Sequence, residues 1–186
     1  MRLSLFPLLL LLVGCSVSTN VSENRVAGLT AEKESLWQIQ IRRWGESRFT
    51  GILVVRPEEE GVRYVVLDKM GISLLRGCAA KDGGDSPPAR GVLARTLGPF
   101  LSEMLSRIVQ EPEERPCSAG MFARLCVKEE PLERKKIKTM LGLQQWVVIE
   151  RRVSPSEEPL QTVEIEYLQP LFGVEVVLRL IGGDEK

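Results

Sequence analysis

The sequence predicts a mainly β protein with a helical insertion: an incomplete, strongly curved antiparallel β-barrel capped by a helical lid. Three observations lead there. Apolar and polar residues alternate through most of the chain after Leu36, which is the period of a strand with one buried face. The alternating segments of the first half are joined by connections of only a few residues, which link antiparallel neighbours and are too short for a parallel crossover. One segment, Leu93 to Ile108, switches to a spacing of threes and fours, the period of a helix with one apolar side.

In chain order, Met1-Arg2 places a positive charge ahead of an apolar run, Leu3 to Val13, broken by Ser4 and Pro7. This is the plan of a signal peptide, since the run is about half of the roughly 20 residues that a spanning helix needs. Leu12-Val13-Gly14-Cys15 then resembles the lipobox of bacterial lipoproteins, which implies cleavage before Cys15 and acylation of that cysteine. More than one acyl chain makes such anchoring stable. Ser16 follows, and by resemblance to the enterobacterial sorting rule a residue other than Asp there implies the outer membrane, on its periplasmic side. Residues 1–14 are thus the signal, and 15–35 the lipidated cysteine and a polar tether with room for a short helix at Glu32 to Ser35. Fifteen flexible residues reach about 20 Å. Residues 36–186 form a single domain.

The first strand spans Leu36 to Arg42, with Trp37, Ile39 and Ile41 on one face, and Gly45-Glu46 turns the chain. A second runs from Arg48 to Arg56, ended by Pro57 and an acidic turn; a third covers Val62 to Leu67; Asp68 to Gly71 connect it to a fourth at Ile72 to Cys78. The loop Ala79 to Arg90 introduces the helical segment, where Leu93, Leu97, Phe100, Leu101, Met104, Leu105 and Ile108 share a side. Gly98-Pro99 predicts two short helices or a kinked one, because proline is tolerated in a first turn but not in an interior. Strands resume at Met121 to Lys128, Arg134 to Met140, Gln145 to Val153, Thr162 to Leu168 and Val174 to Ile181, about nine in all.

Composition narrows the chemistry. Twenty-five basic and 25 acidic residues cancel without a long run of either sign, so nothing along the sequence marks a nucleic-acid footprint or a polybasic membrane patch. The absence of histidine removes the usual general base and the commonest metal ligand, which excludes serine triads, Cys-His dyads and histidine zinc sites. Beyond Cys15 there are Cys78, Cys117 and Cys126. Cys117 with Cys126 is the nearest pair for a disulfide, weighed evenly against incidental cysteines. Glu164 and Glu166 share a strand face but read as solvated, as does the cluster Glu133-Arg134-Lys135-Lys136. The reading is of a protein that is not an enzyme and uses no cofactor or metal.

The order of lipobox, Trp-containing strand, the turn sequence Tyr64-Val65-Val66-Leu67-Asp68-Lys69-Met70-Gly71-Ile72-Ser73-Leu74-Leu75, a helical lid, and closing strands at Thr162 to Leu180 resembles the LolA/LolB lipoprotein-carrier superfamily, and within it the LolB-like outer-membrane lipoproteins. That resemblance implies a half-open barrel whose apolar cavity takes up lipoprotein acyl chains, here lined by Leu97, Phe100, Leu101 and Met104 with Trp37 and Phe49. It also implies a membrane-delivery loop, in which Met70 takes the exposed apolar place and Lys69 replaces the usual proline. The implied partners are the membrane through the anchor, acyl chains of lipid or lipoprotein, and a soluble periplasmic carrier. The alternative is a non-transporting structural or assembly lipoprotein that uses the same fold as an interaction module, marked by a barrel filled with its own Trp37, Phe49, Phe122 and Trp146.

Overall fold

A computed structural model describes residues 34–81, 88–110, 117–119, 123–153 and 162–182. The signal, Cys15, the tether as far as residue 33, and Phe122 lie outside the described residues. The chain forms β1 (Ser35–Arg43), β2 (Glu46–Glu58), β3 (Gly61–Leu67), β4 (Ser73–Ala80) and a single helix, α1 (Ala94–Val109). It continues with β5 (Cys117–Ala119), β6 (Ala123–Glu130), β7 (Glu133–Met140), β8 (Leu143–Val153), β9 (Thr162–Gln169), a 3-10 turn (Pro170–Phe172) and β10 (Val174–Gly182). Among the described residues these ten strands make one antiparallel sheet in the order β4-β3-β2-β1-β10-β9-β8-β7-β6-β5, open between β4 and β5.

Expected alternation holds where it was clearest. Trp37 and Ile39 are fully buried and Gln38 is exposed. Val163, Ile165, Tyr167, Val176 and Leu178 face the core from β9 and β10. The short helix expected at Glu32 to Ser35 lies partly outside the described residues; Ser35 itself opens β1, and its Oγ accepts a 2.8 Å hydrogen bond from Trp37 Nε1. The tenth strand is β5, three residues long and too short to show a period. It sets Cys117 opposite Cys126, and Cys126 is disulfide-bonded. Cys78 is a free thiol.

One helix reveals how far the sheet curls. On a flat sheet β4 and β7, seven steps apart, would be separated by about 34 Å, whereas a helix is about 10 Å across. Yet Ser106 Oγ donates to Ala80 O on β4 at 2.5 Å, and two residues on, Ile108 O accepts from Lys136 Nζ on β7 at 2.7 Å. The sheet therefore wraps around α1, and its concave face and the helix share one apolar core.

Of the two alternatives expected at Gly98-Pro99, two short helices do not form: α1 is one helix that runs through it. Pro99 sits at the sixth helical position, where it withholds one hydrogen bond from the carbonyl of Arg95, and both residues are solvent-exposed. Water can satisfy that carbonyl. Gly98, lacking a Cβ, relieves the clash that proline imposes on its predecessor.

The turns divide between two ends of the sheet. One end carries Trp44-Gly45, Asp68 to Ile72, Leu141-Gly142 and Pro170 to Gly173; the other carries Glu59-Glu60, Pro131-Leu132 and the start of β1. The first hairpin turns at Trp44-Gly45 rather than at the expected Gly45-Glu46. In both Trp44-Gly45 and Leu141-Gly142 the two central residues have positive φ, at 53° and 82° and at 52° and 80°. A two-residue hairpin with this signature is the type I′ turn, whose first position favours Asn or Asp because a bulky side chain is strained there. Leu141→Asn is therefore expected to raise stability by about 1 kcal/mol, read as a higher urea midpoint at unchanged slope. A lower midpoint would mean that Leu141 is held by packing.

Candidate functional site

The six side chains expected to line an acyl-chain cavity are brought together. Trp37, Leu101 and Met104 are fully buried, and Leu97, Phe100 and Phe49 pack against the same core cluster. Trp146 belongs to that core as well. These side chains form one apolar core beneath the helix.

A set of polar clasps holds the helix down. Tyr64 Oη donates to Gly98 O at 3.2 Å and meets Ser102 Oγ at 2.8 Å. Gly77, across the ladder from Tyr64, leaves the room this phenol needs, since a Cβ there would lie 2.5 Å from its oxygen. On the opposite flank Arg107 donates to Tyr167 Oη, pairs with Glu103, and lies over the ring of Trp146 at 5.5 Å from its centroid. Phe100 meets Tyr167 edge-on at 6.2 Å. Burial is the main cause that pushes the Tyr64 and Tyr167 phenols above their ordinary pKa, so both remain neutral hydrogen-bonding groups.

Lys136 corrects the reading of Glu133-Arg134-Lys135-Lys136 as a solvated face, because alternation turns Lys136 inward. It is nearly fully buried beside Glu150, with Nζ at 3.5 Å from Glu150 Oε1, and it donates to Ile108 O at 2.7 Å and Gln110 O at 3.2 Å. An ammonium at the last carbonyls of a helix also suits the negative end of its dipole. The 3.5 Å contact with Lys136 is the nearest partner shown for the buried Glu150 carboxylate, and burial raises its pKa against the opposing pull of Lys136 and Arg134. Glu164 and Glu166 are not merely solvated either: Arg151 lies 3.0 Å from Glu166, and Arg179 lies 2.7 Å from Glu164. A cleft opens beside the β6–β7 turn, but its lining includes Glu130, Glu133, Arg134 and Glu150, a charged surface unsuited to an acyl chain.

Met70 occupies the tip of the β3–β4 connection, 84% exposed. Asp68 Oδ1 accepts from the amides of Met70 and Ile72, both at 2.8 Å, and Gly71 takes φ 81°. The loop is thus rigidly braced around an exposed methionine. Ile72 beside it is exposed too.

Among the described residues no group of three or more His, Cys, Asp or Glu is placed to hold a metal, and no helix is long and apolar enough to cross a membrane. The chain matches no protein-family model, and no curated protein matches it at a significant level. The functional reading therefore rests on the residues themselves. Sequence reasoning missed the Lys136–Glu150 pair and the strained residues Trp44 and Leu141; two hairpin segments joined by a large residue and a glycine were the available signal for the latter.

Proposed function

We propose that this chain is a LolB-like lipoprotein, held through Cys15 on the periplasmic side of the outer membrane, that takes an acyl chain between α1 and the curled sheet and passes it to the membrane. The observation that supports this reading most is the pairing of an open, curled sheet with one amphipathic helix whose buried side is apolar at Leu101, Met104, Leu105 and Ile108, with Ser106 the one hydroxyl among them. Uptake requires α1 to lift, and the clasps at Tyr64, Ser106 and Arg107 define what must give way. Burying an acyl chain is worth about 0.8 kcal/mol per CH2, so an apolar interior can rival the bilayer without nucleotide energy.

The closed core favours a second reading, an interaction module that carries no lipid, because Trp37, Leu101 and Met104 already fill the space a chain would occupy. A fluorescent fatty acid separates the two. On the carrier reading the full chain binds it, and Met70→Glu leaves uptake intact while slowing transfer of a bound lipidated cargo to liposomes several-fold, since a carboxylate resists entering the lipid interface. No binding by the parent would establish the module reading, and unchanged transfer would remove Met70 from the mechanism.

A further inference from the structure

Of the twelve large apolar side chains exposed among the described residues, nine sit at the end of the sheet that carries Trp44 and Met70. The exceptions are Leu36, Leu132 and Ile181. Sheet order explains the regularity. At this end β3 is joined to β4, β1 to β2, β9 to β10 and β7 to β8, so four turns follow one another along the rim at every second strand. With neighbouring strands about 4.8 Å apart, the turns are about 10 Å from each other on an arc of about 30 Å. Each exposes a large apolar residue at or beside its tip: Met70, Trp44, Phe172 and Leu141.

The apolar choice is not imposed by the fold. Trp44 and Leu141 stand at left-handed positions where Asn would be both less strained and better solvated. Backbone strain retained at an exposed position points to use of the side chain. The two described turns of the opposite end, Glu59-Glu60 and Pro131-Leu132, contain no positive φ. Adjacent rim turns are also fastened together: Trp44 N donates to Gly173 O at 2.7 Å, and the indole covers Gly173 so closely that a Cβ there would lie 2.2 Å from its ring.

Charge identifies what the rim meets. Behind the apolar tips lie Arg43, Lys69, Arg90, Arg95 and Arg124, all exposed and without an ion pair among the described residues. The opposite end carries both signs: Glu58, Glu129 and Glu133 pair there with Arg63, Arg134 and Arg151, and Glu59, Glu60 and Glu130 are exposed along with Lys81 and Lys128. Apolar tips with a cationic collar match the two layers of a lipid interface, acyl chains below and anionic headgroups above. β1 begins at the opposite end, and the 20 residues from Cys15 to Ser35 can extend up to about 70 Å. The nine residues of β1 span only about 30 Å, so a chain anchored at Cys15 is long enough to turn its rim to the same membrane.

We infer that the rim formed by Trp44, Met70, Leu141 and Phe172 docks on the interface of a bilayer containing anionic lipid, with its collar of Arg and Lys on the headgroups. This extends the part proposed for Met70, and it stands whether or not the interior holds an acyl chain.

Trp44 supplies the test. The chain has three tryptophans, of which Trp37 and Trp146 are buried, so the part of the quenching by bromine-labelled lipid that disappears in Trp44→Phe reports on Trp44 and not on a chain held in the interior. The full chain is reconstituted in vesicles of phosphatidylethanolamine with phosphatidylglycerol, or of phosphatidylcholine alone. Strong quenching is expected in the anionic vesicles, falling at least about twofold in neutral vesicles or in 1 M salt, where the screening length shrinks to about 3 Å. Leu141→Asn with Phe172→Ser should reduce quenching by a similar factor while Leu132→Asn, at the other end, leaves it unchanged. Absence of quenching in the parent overturns the inference, as does quenching insensitive to the rim variants. Shielding of Trp44 by self-association, seen by sedimentation, would make a second copy the occupant and also overturn it. Fatty-acid binding is measured separately, so failure of the carrier reading and failure of the rim are distinguishable.

Discussion

Leu101→Glu is expected to lower folding stability by about 4 kcal/mol and to weaken fatty-acid binding by more than the loss of folded protein explains. Leu101 is fully buried in the middle of α1, facing the sheet. Removing its side chain alone costs about 2–5 kcal/mol, and a carboxylate adds the penalty of a polar group without a partner. A typical domain has about 5–15 kcal/mol in total, so the variant is expected to remain partly folded. Urea unfolding gives the folded fraction at each probe concentration. If Leu101 contacts the acyl chain, affinity per folded molecule still drops at least about tenfold. Affinity per folded molecule equal to the parent's would make α1 an ordinary core helix and take Leu101, with its neighbours Leu97, Phe100 and Met104, out of the site.

Lys136→Met is expected to be almost as damaging, by about 3–5 kcal/mol, because it leaves the buried Glu150 without its cation and removes a donor from the end of α1. The double variant Lys136→Met with Glu150→Leu should recover most of that loss, since an apolar pair of similar volume avoids the desolvation of both charges. The double-variant cycle in urea measures the coupling directly, and additive losses would show that the two groups act independently. A pH effect accompanies it. Burial holds the Glu150 pKa above its unfolded value. Its contribution to stability is then fully present below the unfolded value and is lost as pH rises through the higher folded value. Stability of the parent should decline across a window that begins at the ordinary carboxylate range and extends above it, and Glu150→Gln should flatten that decline. An identical pH profile in the variant would show that Glu150 does not titrate there.

These two positions show how differently the sequence treats its own interior. Leu101 was legible because helical periodicity repeats over four turns, so one misjudged residue does not move the apolar side. The strands of β1, β9 and β10 were legible for the same reason. Lys136 and Glu150 were not. Periodicity places a residue on a face by its neighbours' polarity, and β7 carries Arg134, Lys136 and Lys138 on the face that meets α1, so the usual guide pointed outward. Only a helix end brought against that strand makes an inward lysine favourable.

By itself the sequence determined that the chain is mainly β with one amphipathic helical segment, where most elements begin and end, and that Met70 stands at a turn; all of these follow from interactions local along the chain. Tertiary structure decided what depends on residues far apart. It carried α1 unbroken through Pro99, because packing on the sheet outweighs one missing hydrogen bond to an exposed carbonyl. Curvature was likewise settled only when Ser106 and Lys136 tied β4 and β7 to the same helix. The strand order then placed four separate apolar turns on one rim, a grouping that no stretch of sequence contains, since the turns are adjacent only through the pairing of β1 with β10 and the strands that follow it.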